Sequence, residues 1–288
     1  MSSNGMMQTT EMVGCPFSVA RGAAWWSERH RLLAETRVDA QGRRWHLQSG
    51  LELDLACRLV ELHQRKVQAG ECISATRKRR ISAVCQDGRA FIVKEFVTLP
   101  PFGLLRPDRR SWLCGNRLHG TVPYLGWLRE PRRGLIIMAS AGEGCLDFRR
   151  RPYDVGRLLP KYARAGELIA QLHELHVFHA DLKPSNFIAA ELDTDSPCLT
   201  LIDCDDIRCP RRLTRRLIVK NLAQFLGGLS YSVPDETDRL LFARTAWDAY
   251  AALRPVADGS LLAAASLLAV RLYPTYVSQV QTIFWHLK

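Results

Sequence analysis

The chain has 288 residues, of which 47% are hydrophobic and 24% are charged, and these proportions are typical of a soluble globular protein. They exclude an intrinsically disordered chain, a collagen-like repeat and a coiled coil. The longest apolar run, from Leu261 to Val270, has ten residues, whereas a helix that crosses a bilayer needs about 20. The sequence therefore predicts no transmembrane helix.

The balance of charge is strongly basic, with 40 Lys and Arg against 29 Asp and Glu. Arginine supplies 33 of these basic residues and lysine only 7. The basic residues cluster at 77–80, 149–151 and 208–220. Two interpretations stay open: a solvated arginine-rich surface, or a surface for an anionic partner such as phosphate, anionic lipid or nucleic acid.

The cysteines and the N-terminus indicate the cellular compartment. Nine cysteines are scattered along the chain without a Cys-x-x-Cys pair, which argues against a structural zinc site and favours reduced thiols. The first residues lack the basic and apolar regions of a secretory signal. We therefore predict a cytoplasmic protein.

The first half of the chain predicts strands with flanking helices. Residues 1–50 show no regular period and predict an irregular cap. Leucines at helical spacing then predict a helix over 51–67. Two strand-like segments flank Asp87-Gly88 and predict a hairpin, because Asp-Gly is a strong turn signal. The remaining elements predicted in this half are a helix over 108–119, opened by Pro107, and a buried strand over 135–138.

The second half is mostly helical. Small residues over 139–144 predict a linker, which is the best candidate for a boundary between two parts of the chain. An apolar stripe at i, i+3, i+4 and i+7 predicts a helix over 158–177. Two short strands are predicted at 186–189 and 198–202, and the pattern from 217 onward is helical.

The strongest chemical signal is His179-Ala-Asp181-Leu-Lys183-Pro-Ser-Asn186, followed by Leu201-Ile-Asp203-Cys-Asp205. It resembles the catalytic loop and the metal-binding motif of protein-kinase-like phosphotransferases. Phosphoryl transfer needs a carboxylate that orients the acceptor hydroxyl and receives its proton, and oxygen ligands that hold Mg²⁺ on the nucleotide phosphates. Asp181 fits the first role, and Asn186 and Asp203 fit the second.

Two lysines also lie at positions where kinases carry functional lysines. Lys94, on the second strand of the predicted hairpin, is similar to the kinase lysine that holds the nucleotide phosphates. Lys183, two residues after Asp181, is placed to neutralise the transferred phosphoryl group. The resemblance implies an α+β, two-lobed kinase-like fold, with a small antiparallel-sheet N-lobe and a mainly helical C-lobe. The regions predicted are a cap over 1–70, the N-lobe over 71–139 and the C-lobe over 140–288.

Several features depart from the protein-kinase pattern. The chain has no G-x-G-x-x-G loop before the hairpin, and Ala180 replaces the usual arginine of the catalytic loop. Only 16 residues separate Asp203 from Lys220, fewer than a protein kinase uses to hold a peptide. The partner acid of Lys94 is also open, because Asp108 is interpreted as a helix N-cap and Glu95 faces the other side of its strand.

These departures indicate a kinase-like family other than the protein kinases. Together with the hairpin sequence, Arg110-Ser-Trp112 and Lys220-Asn-Leu-Ala-Gln-Phe-Leu226 are similar to segments of the bacterial lipopolysaccharide-core kinase family. Members phosphorylate Kdo or heptose sugars. The resemblance implies a cytoplasmic enzyme that uses ATP and Mg²⁺ at the inner face of the inner membrane, with an anionic glycolipid or sugar as acceptor. It implies no nucleic-acid partner and leaves the oligomeric state open.

Other interpretations are a Ser/Thr protein kinase and a pseudokinase that binds a partner or a nucleotide without turnover. The sequence Asp-Leu-Lys-Pro-Ser-Asn favours the first, and the missing glycine loop favours the second. Retention of Lys94, Asp181, Asn186 and Asp203 opposes the pseudokinase.

Overall fold

The computed structural model describes most of the chain between residues 35 and 272. The ranges are 18–19, 35–97, 106–116, 118–119, 121–142, 144–149, 152–189, 192, 194–254 and 258–272. Much of the predicted cap (1–17 and 20–34) and the end of the predicted helical region (273–288) lie outside the described residues.

A seven-stranded antiparallel sheet forms the N-terminal part of the fold, in the order β2-β3-β8-β9-β6-β5-β4. Its strands are β2 (Glu35–Val38), β3 (Arg44–Leu47), β4 (Ser74–Ala75), β5 (Arg79–Gln86), β6 (Arg89–Phe96), β8 (Tyr124–Arg129) and β9 (Gly134–Ala139). The predicted hairpin is β5 and β6. Its two-residue turn has positive φ at both Asp87 (52°) and Gly88 (71°), which matches the twist of the strands.

Two helices cover opposite faces of this sheet. Helix α1 (Leu53–Gln68) packs its apolar side against the face that carries Phe91 and Val93. Helix α2 (Pro107–Gly115) lies on the other face, where Trp112 packs with Phe96. Because side chains alternate along a strand, Lys94 shares the face of α2.

The irregular conformation predicted for residues 1–50 is wrong where the structure describes them from residue 35. Strands β2 and β3 belong to the large sheet, and Trp45 is fully buried in its core. The helix predicted over 108–119 ends earlier, at Gly115, and Leu118–His119 form strand β7, paired with β1 (Ser18–Val19). The division of the chain at 70 and 139 stays a prediction, although residues 35–68 contribute two strands to the sheet, and β3 and α1 belong to its core.

The C-terminal part is helical around a small sheet. Strands β10 (Gly144–Cys145), β11 (Phe187–Ala189) and β12 (Leu199–Leu201) form this sheet in that order. The helices are α3 (Val155–Glu174), α4 (Arg215–Ser232), α5 (Glu236–Leu253) and α6 (Gly259–Leu272). The predicted α+β arrangement of a sheet part and a helical part is confirmed. No helix among the described residues is both long and apolar enough to span a bilayer.

Helices α3 and α5 approach closely at Gly166. A Cβ atom on Gly166 would lie 2.0 Å from the backbone oxygen of Ala246, and a helix backbone cannot yield without moving the whole helix. Next to this contact, the rings of Tyr162 and Phe242 stack with centroids 4.2 Å apart. The absence of a side chain at this position therefore sets the spacing of the two helices.

We expect Gly166→Ala to lower the free energy of unfolding by about 1–2 kcal/mol, because an overpacking cost of about 2–3 kcal/mol exceeds the gain in helix propensity of about 1 kcal/mol. Urea denaturation measures the change. Gly259→Ala is the matched control, since nothing lies within 4 Å of its Cβ position. Equal effects of the two variants would contradict the close-packing argument.

Candidate active site

Buried polar side chains of the C-terminal helices hold the predicted catalytic loop in place. On helix α4, the Asn221 side-chain oxygen accepts from the His179 N–H at 3.3 Å and its amide donates to the His179 carbonyl. Gln224, one turn later, donates to the Ala180 carbonyl. The His173 ring reaches Asn221 at 3.4 Å and Tyr250 at 2.9 Å. Burial lowers the pKa of His173 to about 3, so its ring stays neutral inside this network.

Histidine 179 ties the loop to the strand that carries the metal motif. The Asp181 N–H donates to His179 Nδ1 at 3.2 Å, which leaves the hydrogen on Nε2 to donate to the Ile202 carbonyl at 3.3 Å. Burial lowers the pKa of His179. The neutral ring therefore braces the loop with one donor and one acceptor.

Asp181 and Lys183 form an ion pair at the surface of the loop. Lys183 Nζ lies 2.7 Å from Asp181 Oδ2, and both side chains are about half exposed. The loop continues into a short 3₁₀ turn at Pro184–Asn186. The carboxylate is thus open to solvent, and an acceptor hydroxyl can reach it.

The antiparallel pairing of β11 and β12 brings Asn186 beside Asp203. Phe187 pairs with Leu201, so the residue before β11 lies next to the residues after β12. The Ile202 N–H donates to the Asn186 carbonyl at 2.9 Å. The Asn186 side-chain amide donates to the Asp181 carbonyl at 2.7 Å, so its oxygen is the atom left to face a metal.

Asp203 has a left-handed backbone, with φ 58° and ψ 43°. Such a conformation is uncommon for a residue other than glycine and is enriched at functional sites. Lys94 Nζ contacts Asp203 Oδ1 at 2.7 Å. Burial by itself would raise the pKa of Asp203, but the positive charge of Lys94 outweighs it, so the pKa lies below its ordinary value. The carboxylate is therefore ionised at neutral pH.

Lys94 is buried, with 3% of its side chain exposed, and it meets two carboxylates. They are those of Asp203 and Asp205. Burial lowers the pKa of the Lys94 ammonium, but Asp205 and Asp203 more than offset this, and the pKa lies above its ordinary value. The sequence left the partner acid of Lys94 open, and the structure identifies Asp205 as a partner that the motif alone did not reveal.

The two acids considered from the sequence are used elsewhere. Asp108, interpreted as a helix N-cap, is fully buried in a two-contact ion pair with Arg106 and accepts from Trp127 Nε1 at 2.9 Å. Its role as a cap is therefore wrong: the helix has no side-chain cap, and its N-cap residue is Arg106. Glu95 does face away from Lys94, as predicted, and contacts Arg133 at 2.6 Å and His63 at 3.4 Å.

The donor set fits a magnesium ion. Among the described residues, no group of three or more His, Cys, Asp or Glu side chains is arranged to hold a metal. A kinase site needs no such group, because hard oxygens from Asp and Asn share Mg²⁺ with nucleotide phosphates and water. The carboxylate of Asp203 and the amide oxygen of Asn186 are two such oxygens that could hold it.

The basic segment 208–216 starts at the catalytic loop. The main chains of Phe178 and Arg208 exchange two hydrogen bonds of 2.8 Å. The His176 ring contacts the Arg211 carbonyl at 2.8 Å. The arginine side chains of this segment are exposed: Arg208, Arg211, Arg212, Arg215 and Arg216. The segment therefore starts beside the residues that lead into the catalytic loop.

Residues 157–241 match the model of the lipopolysaccharide kinase (Kdo/WaaP) family. The match contains Asp181, Asn186 and Asp203, and Lys94 lies before it. The resemblance predicted from the motifs is confirmed, and so is the predicted class of enzyme, a kinase that transfers phosphoryl groups to an alcohol. The family match does not identify the sugar that accepts the phosphoryl group.

Many solved structures are similar to the chain, including the following two. One is WaaP in complex with acyl carrier protein, with 22% identity over 80% of this chain and 99% of that chain and a TM-score of 0.46. The other is an aminoglycoside-3'-phosphotransferase of type VIII, with 14% identity over 64% of this chain and 86% of that chain and a TM-score of 0.46. No curated protein matches the chain.

Proposed function

We propose that this protein transfers the γ-phosphoryl group of ATP to a hydroxyl of a lipopolysaccharide-core sugar, Kdo or heptose. The observation that carries the proposal is the arrangement of four groups around the catalytic loop. Asn186 is hydrogen-bonded to the Asp181 carbonyl and to the Ile202 N–H, and the next residue, Asp203, contacts the buried Lys94. These are the groups that phosphoryl transfer requires, and three of them lie inside the lipopolysaccharide kinase match.

Each residue has a role in the proposed reaction. Lys94 holds the nucleotide phosphates, and Asn186 and Asp203 hold Mg²⁺, which when bound neutralises phosphate charge. Asp181 orients the acceptor hydroxyl and takes its proton as the new oxygen–phosphorus bond forms and the bond to ADP breaks. Lys183, which pairs with Asp181 in this structure, is placed to turn toward the phosphoryl group.

The acceptor is proposed to be anionic and membrane-bound. The chain carries a formal net charge of +11, and exposed arginines follow the metal motif at 208–216. A glycolipid at the cytoplasmic face of the inner membrane would supply phosphates that such a surface attracts. The enzyme would act there as a peripheral protein.

We expect that replacing Arg211, Arg212, Arg215 and Arg216 by Gln raises KM for the lipid acceptor and leaves KM for ATP almost unchanged. The defect relative to wild type should be larger at low salt, because salt already screens exposed charges. The matched control replaces four exposed arginines elsewhere, Arg37, Arg44, Arg58 and Arg244, for the same change in charge. Equal losses of activity with the lipid and with a neutral sugar, or no loss, would show that these arginines are an ordinary solvated surface and do not bind the acceptor.

A transfer assay tests the proposed function. Purified protein, Mg²⁺ and γ-labelled ATP are incubated with lipid A–core acceptors that differ in Kdo and heptose content, and the label on the lipid is measured. Label that requires one sugar identifies the substrate. Label on protein instead of lipid would favour the Ser/Thr protein kinase, and ATP binding with no transfer to any envelope glycan would favour the pseudokinase.

A further inference from the structure

A buried lysine beside a metal site needs a second counter-charge. In the structure, Lys94 contacts Asp203, but the proposed function assigns Asp203 to Mg²⁺. A carboxylate that binds a divalent cation has little negative charge left for an ammonium group. A buried ammonium group without a partner is strongly unfavourable. The nucleotide phosphates supply charge once they are bound, but a second carboxylate is needed to hold Lys94 in position for them.

The N-terminal part offers no acid for this task among its described residues near Lys94. Protein kinases take the partner of this lysine from the helix that follows its strand. Here that helix is α2, and its single acid, Asp108, is committed to Arg106. Glu95, the neighbour of Lys94, lies on the opposite face with Arg133 and His63.

Asp205 fills the position from the C-terminal part. Its Oδ2 contacts Lys94 Nζ. Its Oδ1 accepts from the hydroxyl of Ser111, on α2, at 2.5 Å and from that of Tyr124, on β8, at 3.3 Å. Only 13% of the Asp205 side chain is exposed. Arg79, on β5, also lies 3.7 Å from Asp205 Oδ2. Both oxygens are therefore engaged, and all four partners belong to the N-terminal part.

We infer that Asp205 is a positioning residue that holds Lys94 in place for the nucleotide phosphates while Asp203 serves the metal. Ser111 and Tyr124 fix the carboxylate, so helix α2 takes part through a hydroxyl where protein kinases use a carboxylate. The acid that pairs with this lysine therefore lies two residues after the metal aspartate, and not on the helix as in protein kinases. This inference rests on the proposed function.

The test compares Asp205→Asn with Asp87→Asn, an exposed aspartate in the β5–β6 turn. We expect Asp205→Asn to weaken Mg·ATP binding and to lower kcat/KM for ATP by about 10–100-fold, the usual effect of losing the partner that orients a ligand group. Acceptor KM should not change. The double variant Ser111→Asp/Asp205→Asn returns a carboxylate to the same hydrogen-bonded pair and should recover at least part of the loss.

Calorimetric titration with Mg·ATP, without acceptor, distinguishes a failure of the proposed function from a failure of the inference about Asp205. If the wild type does not bind Mg·ATP, the proposed function fails and the inference fails with it. If the wild type binds and Asp205→Asn binds as well as Asp87→Asn, only the inference is overturned. A loss that follows a lower melting temperature and is not recovered in the double variant would show a merely structural role and would also overturn it.

Discussion

Replacing Asp181 by Asn is expected to lower phosphoryl transfer by about 10²–10⁴-fold, the usual contribution of a positioned acid–base group, and to leave Mg·ATP binding nearly intact. The amide has the shape of the carboxylate but cannot take the proton of the acceptor hydroxyl. Because the Asp181 side chain is 46% exposed, the fold should not depend on its charge. Initial rates with the lipid acceptor and calorimetric titration with Mg·ATP measure the two effects.

The matched control for this variant is Asp248→Asn. Asp248 lies on α5 with 61% of its side chain exposed, so its replacement should change neither rate nor binding. Transfer by Asp181→Asn at the wild-type rate would remove Asp181 from the proposed chemistry. A parallel loss of nucleotide binding would assign Asp181 to the nucleotide site instead.

Replacing Asp203 by Asn should abolish the benefit of Mg²⁺ for nucleotide binding. We expect the affinity for ATP in the presence of Mg²⁺ to fall by more than about 100-fold, because losing even an outer partner of a metal ligand costs about 10–100-fold. The variant removes the negative charge that the metal needs, while Asp205 still pairs with Lys94. Titration of ATP with and without Mg²⁺ measures the difference.

The residual binding of Asp203→Asn is as informative as the loss. Nucleotide that binds without Mg²⁺ should bind the variant about as well as the wild type, since Lys94 keeps one carboxylate partner. If binding with Mg²⁺ were unchanged, the proposed metal role of Asp203 would be wrong. Asp248→Asn again serves as the control for loss of one surface charge.

Local pattern predicted those parts of the fold that depend on near neighbours in the chain. The turn at Asp87-Gly88 and the leucine spacing of α1 are examples, because each follows from backbone preference or helical period over a few residues. The pairing of Asn186 with the residues beside Asp203 also follows from two adjacent strands. Strands β2 and β3 are not predicted because they are short, and because β3 is held by pairing with distant β8 while β2 pairs with β3.

The order of Lys94, Asp181, Asn186 and Asp203 along the chain is enough to indicate a kinase. The contact between Lys94 and Asp205 appears only in the folded protein, since the two residues are 111 positions apart in the chain. Tertiary structure also decided that Asn221 and Gln224 brace the catalytic loop. A contact between distant residues depends on how helices and sheets pack, and local pattern carries no record of that packing.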